Sequence, residues 1–177
     1  MKALTDEQLM ILISNGDLQM MHQLFDRYSV RIYNYCLKVT RDQTASEDLT
    51  QETFYKVIKH RQSFDNRTFA AWIFTIARNL CFDYLKNTEK RGLKMEGLES
   101  HMEDGNLDQA DQRDRIEHLQ KTLGQLDPLD KELILLSRYE KLKYKDIATI
   151  MNMSESAIKN RIHRALKKLR QQYFKVI

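Results

Sequence analysis

The chain of 177 residues is poor in helix breakers, with one proline and five glycines. So few interruptions favour an all-α protein. Cysteine is equally scarce. Cys36 and Cys81 stand in apolar helical contexts, with no CxxC and no Cys/His ligand spacing. Burial is therefore expected for both, and a metal or disulfide role is disfavoured. No apolar run is long enough to span a bilayer. No signal-peptide core follows the first residues, so the reading is a cytoplasmic protein without membrane insertion. A glycine-rich phosphate loop, an HExxH pair and a nucleophile elbow are all missing. The five histidines are scattered, and none has a second histidine at i+4. No catalytic residue, metal ligand or cofactor is assigned.

What is present is apolar content and unevenly placed charge. Apolar residues make up 42% of the chain, enough to supply a core. The net charge of +4 is not spread evenly. Residues 1–90 hold 12 basic and 11 acidic residues, 91–126 hold 5 and 8, and 127–177 hold 12 and 6. The basic excess belongs to the C-terminal end, which points to an anionic partner there.

Helical spacing of apolar residues divides the chain. A first helix is expected over 4–14 with Thr5 as N-cap, ended by Asn15-Gly16-Asp17. A longer helix covers 18–40. A third covers about 46–59, with Ser46 as its cap and Leu49, Thr53, Phe54, Val57 and Ile58 inward. Asp48, Gln51, Glu52 and Tyr55 form another face of it, either solvated or a docking surface for a basic partner. Residues 60–68, HRQSFDNRT, form a polar loop. It is either a plain connector or a device for gripping an unstacked base, with Gln62 and Asn66 for base edges, Arg67 for phosphate and Phe64 for packing or stacking.

Residues 69–87 form the strongest helix of this half, with Trp72/Ile73, Ile76/Ala77, Leu80/Cys81 and Tyr84/Leu85 recurring every four residues. Trp72 is weighted toward the core, with an edge offered to nucleic acid as the alternative. Residues 89–111 contain three of the five glycines and many carboxylates, and read as a partly disordered linker. A helical pattern returns over 113–126. Asp127-Pro128 then starts another helix, with Leu133, Leu135, Leu136 and Tyr139 expected to pack.

The last stretch carries the most information. Tyr144 to Met151 is a short helical pattern, Asn152-Met153 interrupts it, and Ser154 is a strong N-cap. Ala157, Ile158, Ile162, Ala165, Leu166 and Leu169 then line one face of a second helix. Two helices joined by so short a turn form a helix-turn-helix. From Lys159 to Lys175 there are seven basic residues and no acidic one. A helix with one apolar and one basic face suits the major groove, the alternative being a solvated basic face.

Three segments, in this order and spacing, resemble one family. ASEDLTQETF at 45–54, FAAWIFTIARNLCFDYLK at 69–86 and YKDIATIMNMSESAIKNRIHRALKKLR at 144–170 are similar to segments of bacterial RNA polymerase sigma factors of the two-domain extracytoplasmic-function (ECF) group. The resemblance runs from about residue 21 to 170. It implies two small helical domains, 1–90 and 113–177, joined by an acidic flexible linker at 91–112, the second domain carrying the helix-turn-helix. It further implies that Asp48, Gln51, Glu52 and Tyr55 bind the clamp helices of the β′ subunit of core RNA polymerase. Phe64, Asp65, Asn66, Arg67, Trp72, Arg78 and Asn79 would act at the minus-ten element of promoter DNA. Ser154, Ser156, Lys159, Asn160, Arg161, His163, Arg164 and Lys167 would act at the minus-thirty-five element, with Arg161, Arg164 and Lys167 on phosphates. The C-terminal domain would also pack on the flap of the β subunit, and a separate anti-sigma factor would sense the signal. The chain departs from the family's frequent Gly-Thr-Val at Ser156-Ala157-Ile158 and from its Gly at Asn152, which bears on base preference and not on fold. The competing reading is a helix-turn-helix regulator that binds DNA without being a polymerase subunit; the two differ at 45–86.

Overall fold

Helix boundaries in the computed structural model follow from local caps. It describes residues 4–65, 68–91 and 121–173. Helix α1, Asp6–Ser14, opens with a capping box: the Thr5 hydroxyl accepts the Gln8 amide, and the Gln8 side chain accepts the Thr5 amide at 2.9 Å. Gly16, at φ +107°, turns the chain where a side chain would strain it. A short 3-10 turn, Leu18–Met20, then leads into α2, Met21–Thr40, so the helix expected over 18–40 begins with a tighter turn. It ends at Arg41, whose left-handed φ of 56° is unusual for a side-chain-bearing residue.

Helix α3, Gln43–Lys59, starts earlier than expected. Its N-cap is Asp42, whose carboxylate accepts the Ala45 amide at 2.9 Å. Ser46 is not the cap. It is fully buried, and its hydroxyl lies 2.5 Å from the Asp42 carbonyl and 3.0 Å from the Thr40 hydroxyl. A Ser followed by Glu47-Asp48 imitates a helix start, but here it lies one turn inside. Thr50 and Thr53 likewise donate to the carbonyls four residues back. A 3-10 turn, Arg61–Ser63, follows, and then α4, Phe69–Lys90, capped by the Thr68 hydroxyl.

Helices α2, α3 and α4 pack pairwise, and α1 packs on α2 and α4. Their core holds Leu9, Ile13, Leu24, Ile32, Tyr35, Val57, Phe69, Ile73 and Phe74, all fully buried. Tyr35 meets Phe74 edge-on with centroids 5.5 Å apart. Tyr28 meets Phe69 the same way and donates to Asp6 at 2.6 Å. Burial, and then that bond, push the Tyr28 hydroxyl well above its ordinary range. Cys36 and Cys81 are buried free thiols. A hydrogen bond from Cys81 draws the Cys36 thiol below its usual range against the opposing effect of burial.

The chain divides into two compact units, and the second is taken by itself. The expected linker beyond Arg91 and the expected helical residues 113–120 lie outside the described residues. Residues 121–124 are helical. Helix α5, Pro128–Ile134, has Asp127 as N-cap and proline in its first turn, as expected. It runs into a π-helical turn, Leu135–Tyr139. That wider turn shifts the register, so Leu133 and Leu136 are buried, Leu135 is half-buried and Tyr139 is 47% exposed. Helices α6, Tyr144–Met151, and α7, Glu155–Tyr173, follow, and α5 packs on α7.

Asp42 also accepts the Tyr84 hydroxyl at 2.7 Å, which ties the start of α3 to α4. The Ala45 amide first, and Tyr84 next, hold this carboxyl below its usual range. A depressed carboxyl stabilises the fold above its unfolded pKa and loses that contribution as pH falls through the folded value. Asp42→Ala is expected to cost about 1 kcal/mol at neutral pH. The difference from the parent should narrow below about pH 4, as chemical denaturation at several pH values would measure.

Candidate nucleic-acid and protein interfaces

Three groups of predicted residues can be placed. On α3 the buried side is made of Ala45, Ser46, Thr50, Thr53, Phe54 and Val57. Asp48, Gln51 and Tyr55 are exposed and Glu52 is half-buried. Their spacing of three and four puts them on one side of the helix. Tyr55 is 55% exposed, and the Lys59 ammonium lies 5.7 Å from its ring centroid. The side presented is thus two carboxylates, an amide and an aromatic ring, suited to a basic or amphipathic partner.

The second group surrounds the loop before α4. Phe64 is half-buried against Trp72, with centroids 5.3 Å apart, and against Phe69 at 6.4 Å. Trp72 is only 8% exposed. This is the core placement toward which the sequence weighted it, and Trp72 forms the floor on which Phe64 rests. Asp65 is exposed, and Asn66 and Arg67 lie outside the described residues. Arg78 sits 4.5 Å above the Phe82 ring, and Asn79 is exposed beside it. They lie about 14 Å along α4 from Phe69, at 1.5 Å per residue.

Sequence reasoning missed what holds this loop. The Ser14 hydroxyl donates to the Arg61 carbonyl at 2.7 Å, and Glu7 accepts the Phe69 amide at 3.2 Å. Helix α1 thereby fastens both ends of the loop.

The third group is the helix-turn-helix. Asn152 takes the left-handed conformation, φ 51°, in the turn between α6 and α7. Asn tolerates that region better than most residues. The Met153 amide bonds the Ala148 carbonyl at 3.0 Å, closing α6. Ser154 caps α7, its hydroxyl accepting the Ala157 amide at 3.2 Å. Ile158, Ile162 and Ala165 are buried. Ser154, Ser156, Lys159, Asn160, His163, Arg164 and Lys167 are all exposed. Arg161 differs from them. Its Nε donates to Asp130 at 2.6 Å and an Nη to Asp127 at 3.2 Å, so the guanidinium expected on phosphate is held by carboxylates of its own chain.

Known proteins match both units. Residues 24–91 fit the family model Sigma-70 region 2, and residues 116–169 fit Sigma-70, region 4. The chain is 30% identical over 152 residues to the ECF RNA polymerase sigma factor SigM of Bacillus subtilis (strain 168), covering 85% of this chain and 93% of that protein. The chain belongs to the ECF sigma factor family. This sigma factor is also 30% identical over 155 residues, 84% of its length, to SigE of Mycolicibacterium smegmatis, a longer protein of which it spans 59%. Among solved structures it is similar to the sigma factor RpoE of Bartonella quintana in complex with the anti-sigma factor NepR, with 26% identity and a TM-score of 0.69 over 88% of this chain and 96% of that one. The all-α fold and the family expected from the sequence are both borne out.

If Trp72 is the floor of the loop, Trp72→Ala should cost about 3–5 kcal/mol of stability, measured by denaturant unfolding. Retention of full stability would overturn that packing role.

Proposed function

We propose that this sigma factor directs promoter-specific initiation by core RNA polymerase through two separate readers. Residues 1–90 bind polymerase and the minus-ten element. Residues 113–177 bind the minus-thirty-five element and the β flap. Residues 91–112 form an acidic linker passing near the RNA exit path. The observation that carries the reading is the one-sided build of α7. Its buried side is Ile158, Ile162 and Ala165, and its exposed side is entirely polar or basic, in a chain of the ECF family.

On this reading Asp48, Gln51, Glu52 and Tyr55 meet the β′ clamp helices. The loop of Phe64, Asp65, Asn66 and Arg67 receives a flipped base of the minus-ten element, and Arg78 and Asn79 flank the opened strand. Ser156, Lys159, Asn160 and His163 face base edges in the major groove, with Ser154 at the helix start and Arg164 and Lys167 on phosphates. The factor supplies specificity and no catalysis, and acts in the cytoplasm. Polymerase otherwise binds DNA largely through its phosphates, which carry no sequence information. Holding an unstacked base offsets an unpairing cost of a few kcal/mol. Two readers joined by a linker make the spacing of the two elements matter as much as their sequences. RpoE of Bartonella quintana is seen with an anti-sigma factor, and a separate partner of that kind would hold this factor inactive.

In vitro transcription with core polymerase and a randomised promoter library tests the whole reading. Recovery of two sequence elements at a fixed separation is expected, and starts without sequence preference would sink it. Asp48→Arg should abolish binding to core polymerase while leaving the circular dichroism spectrum and Tm unchanged. Lys159→Glu should leave polymerase binding intact and remove promoter-dependent transcripts.

A further inference from the structure

We propose that Arg161 is a positioning residue, not a phosphate contact. With Asp127 and Asp130 it clamps α7 to the N-terminus of α5 and sets the angle at which the DNA-facing side of α7 is presented. The proposal rests on the promoter reading above, but its geometry stands on its own.

Successive residues of an α-helix are about 100° apart. Ser156, Asn160, His163 and Lys167 follow one another by four, three and four, so they share one side of α7. That side lies opposite the buried Ile158, Ile162 and Ala165. Arg161 comes one residue after Asn160 and thus lies about 100° round the helix from it. It falls three after Ile158 and four before Ala165, at the margin of the buried side.

Its hydrogen bonds run the same way. Nε donates to Asp130 at 2.6 Å, and Nη2 donates to Asp127 at 3.2 Å. The side chain of Asp130 is only 20% exposed, so this charge pair is less screened than a surface one. The Asp127 oxygen that receives Arg161 also receives the Leu129 amide at 2.9 Å, as the N-cap of α5. One carboxylate therefore fixes the start of α5 and the flank of α7 together. A planar guanidinium can bond two carboxylates in this fork arrangement, and an ammonium cannot reproduce it.

The two roles predict different outcomes for the full-length protein. The probes are a random-sequence duplex and a promoter fragment recovered from the library. A phosphate contact predicts that Arg161→Lys behaves as the parent, and that Arg161→Gln lowers the log-affinity against log-salt slope by about 1. A clamp predicts that the slope on the random duplex is unchanged for both. It also predicts that Arg161→Lys, Arg161→Gln and Asp130→Asn each lower the ratio of promoter to random-duplex affinity, roughly fivefold. The exchanged pair Asp130→Arg with Arg161→Asp should recover part of that ratio. A slope reduced by about 1, or Asp130→Asn with an unchanged ratio, overturns the proposal.

If the library yields no promoter, the sigma-factor reading fails, and thermal unfolding still judges the clamp. Arg161→Gln and Asp130→Asn should then be strongly non-additive in Tm. Additive shifts would overturn it.

Discussion

The N-terminal unit depends on how closely α3 can sit on α2. The buried side of α3 sets three small hydroxyl residues, Ser46, Thr50 and Thr53, beside the apolar Phe54 and Val57. A buried hydroxyl without a partner costs on the order of 1–3 kcal/mol. Each of these three meets that cost locally, by donating to the carbonyl four residues back in its own helix. Ser46 additionally touches Thr40 across the turn. The polar atoms are thus satisfied largely within α3, with Thr40 and Cys36 of α2 adding to Ser46 and Thr50. The opposite side is then left to Asp48, Gln51, Glu52 and Tyr55, which take no part in the core.

The same economy appears in the C-terminal unit. A helix that reads DNA, as proposed for α7, is held from one side only, since the other has to enter a groove about 12 Å wide. Three small or branched side chains, Ile158, Ile162 and Ala165, hold α7 from behind. Apolar contact is non-directional, however, and by itself leaves a helix free to tilt. Directed bonds from the flank supply what the apolar seam lacks, and Arg161 is placed to make them. Within this basic stretch, the Arg161 guanidinium is thus already held by two acids.

Much of this was legible in the sequence because caps and helical spacing are local signals. Thr5, Asp127-Pro128 and Ser154 begin helices where their chemistry says they should. Apolar spacing located the cores of α2, α4 and α7. The misreadings are equally physical. Ser46 resembles a cap because Ser, Glu and Asp in succession suit a first turn, and only the long-range seat on α2 shows that it is interior. Tyr139 has the spacing of a packed residue, but a π-helical turn changes the period on which that inference rests. Arg161 is indistinguishable from its basic neighbours until α5 is folded beside it. Partners 31 and 34 residues away leave no periodic trace.

The loop before α4 shows why such distant contacts matter for function. In the proposed reading this segment receives a base, and a segment loses affinity for every degree of freedom it freezes on binding, so fastening it beforehand would favour capture. The fastenings here come from 47 and 62 residues away, at Ser14 and Glu7. Both lie in α1, before the region-2 match begins at residue 24. Beneath the loop, Phe64 rests on Trp72 and Phe69, the latter fully buried. The loop is thus fastened at Arg61 and Phe69 and floored by aromatic core beneath Phe64. Helix α1 is then more than an N-terminal extension. By bonding the backbone at Arg61 and Phe69, it ties this loop to the same core that positions α3, so the two surfaces proposed for promoter and polymerase are held in one frame.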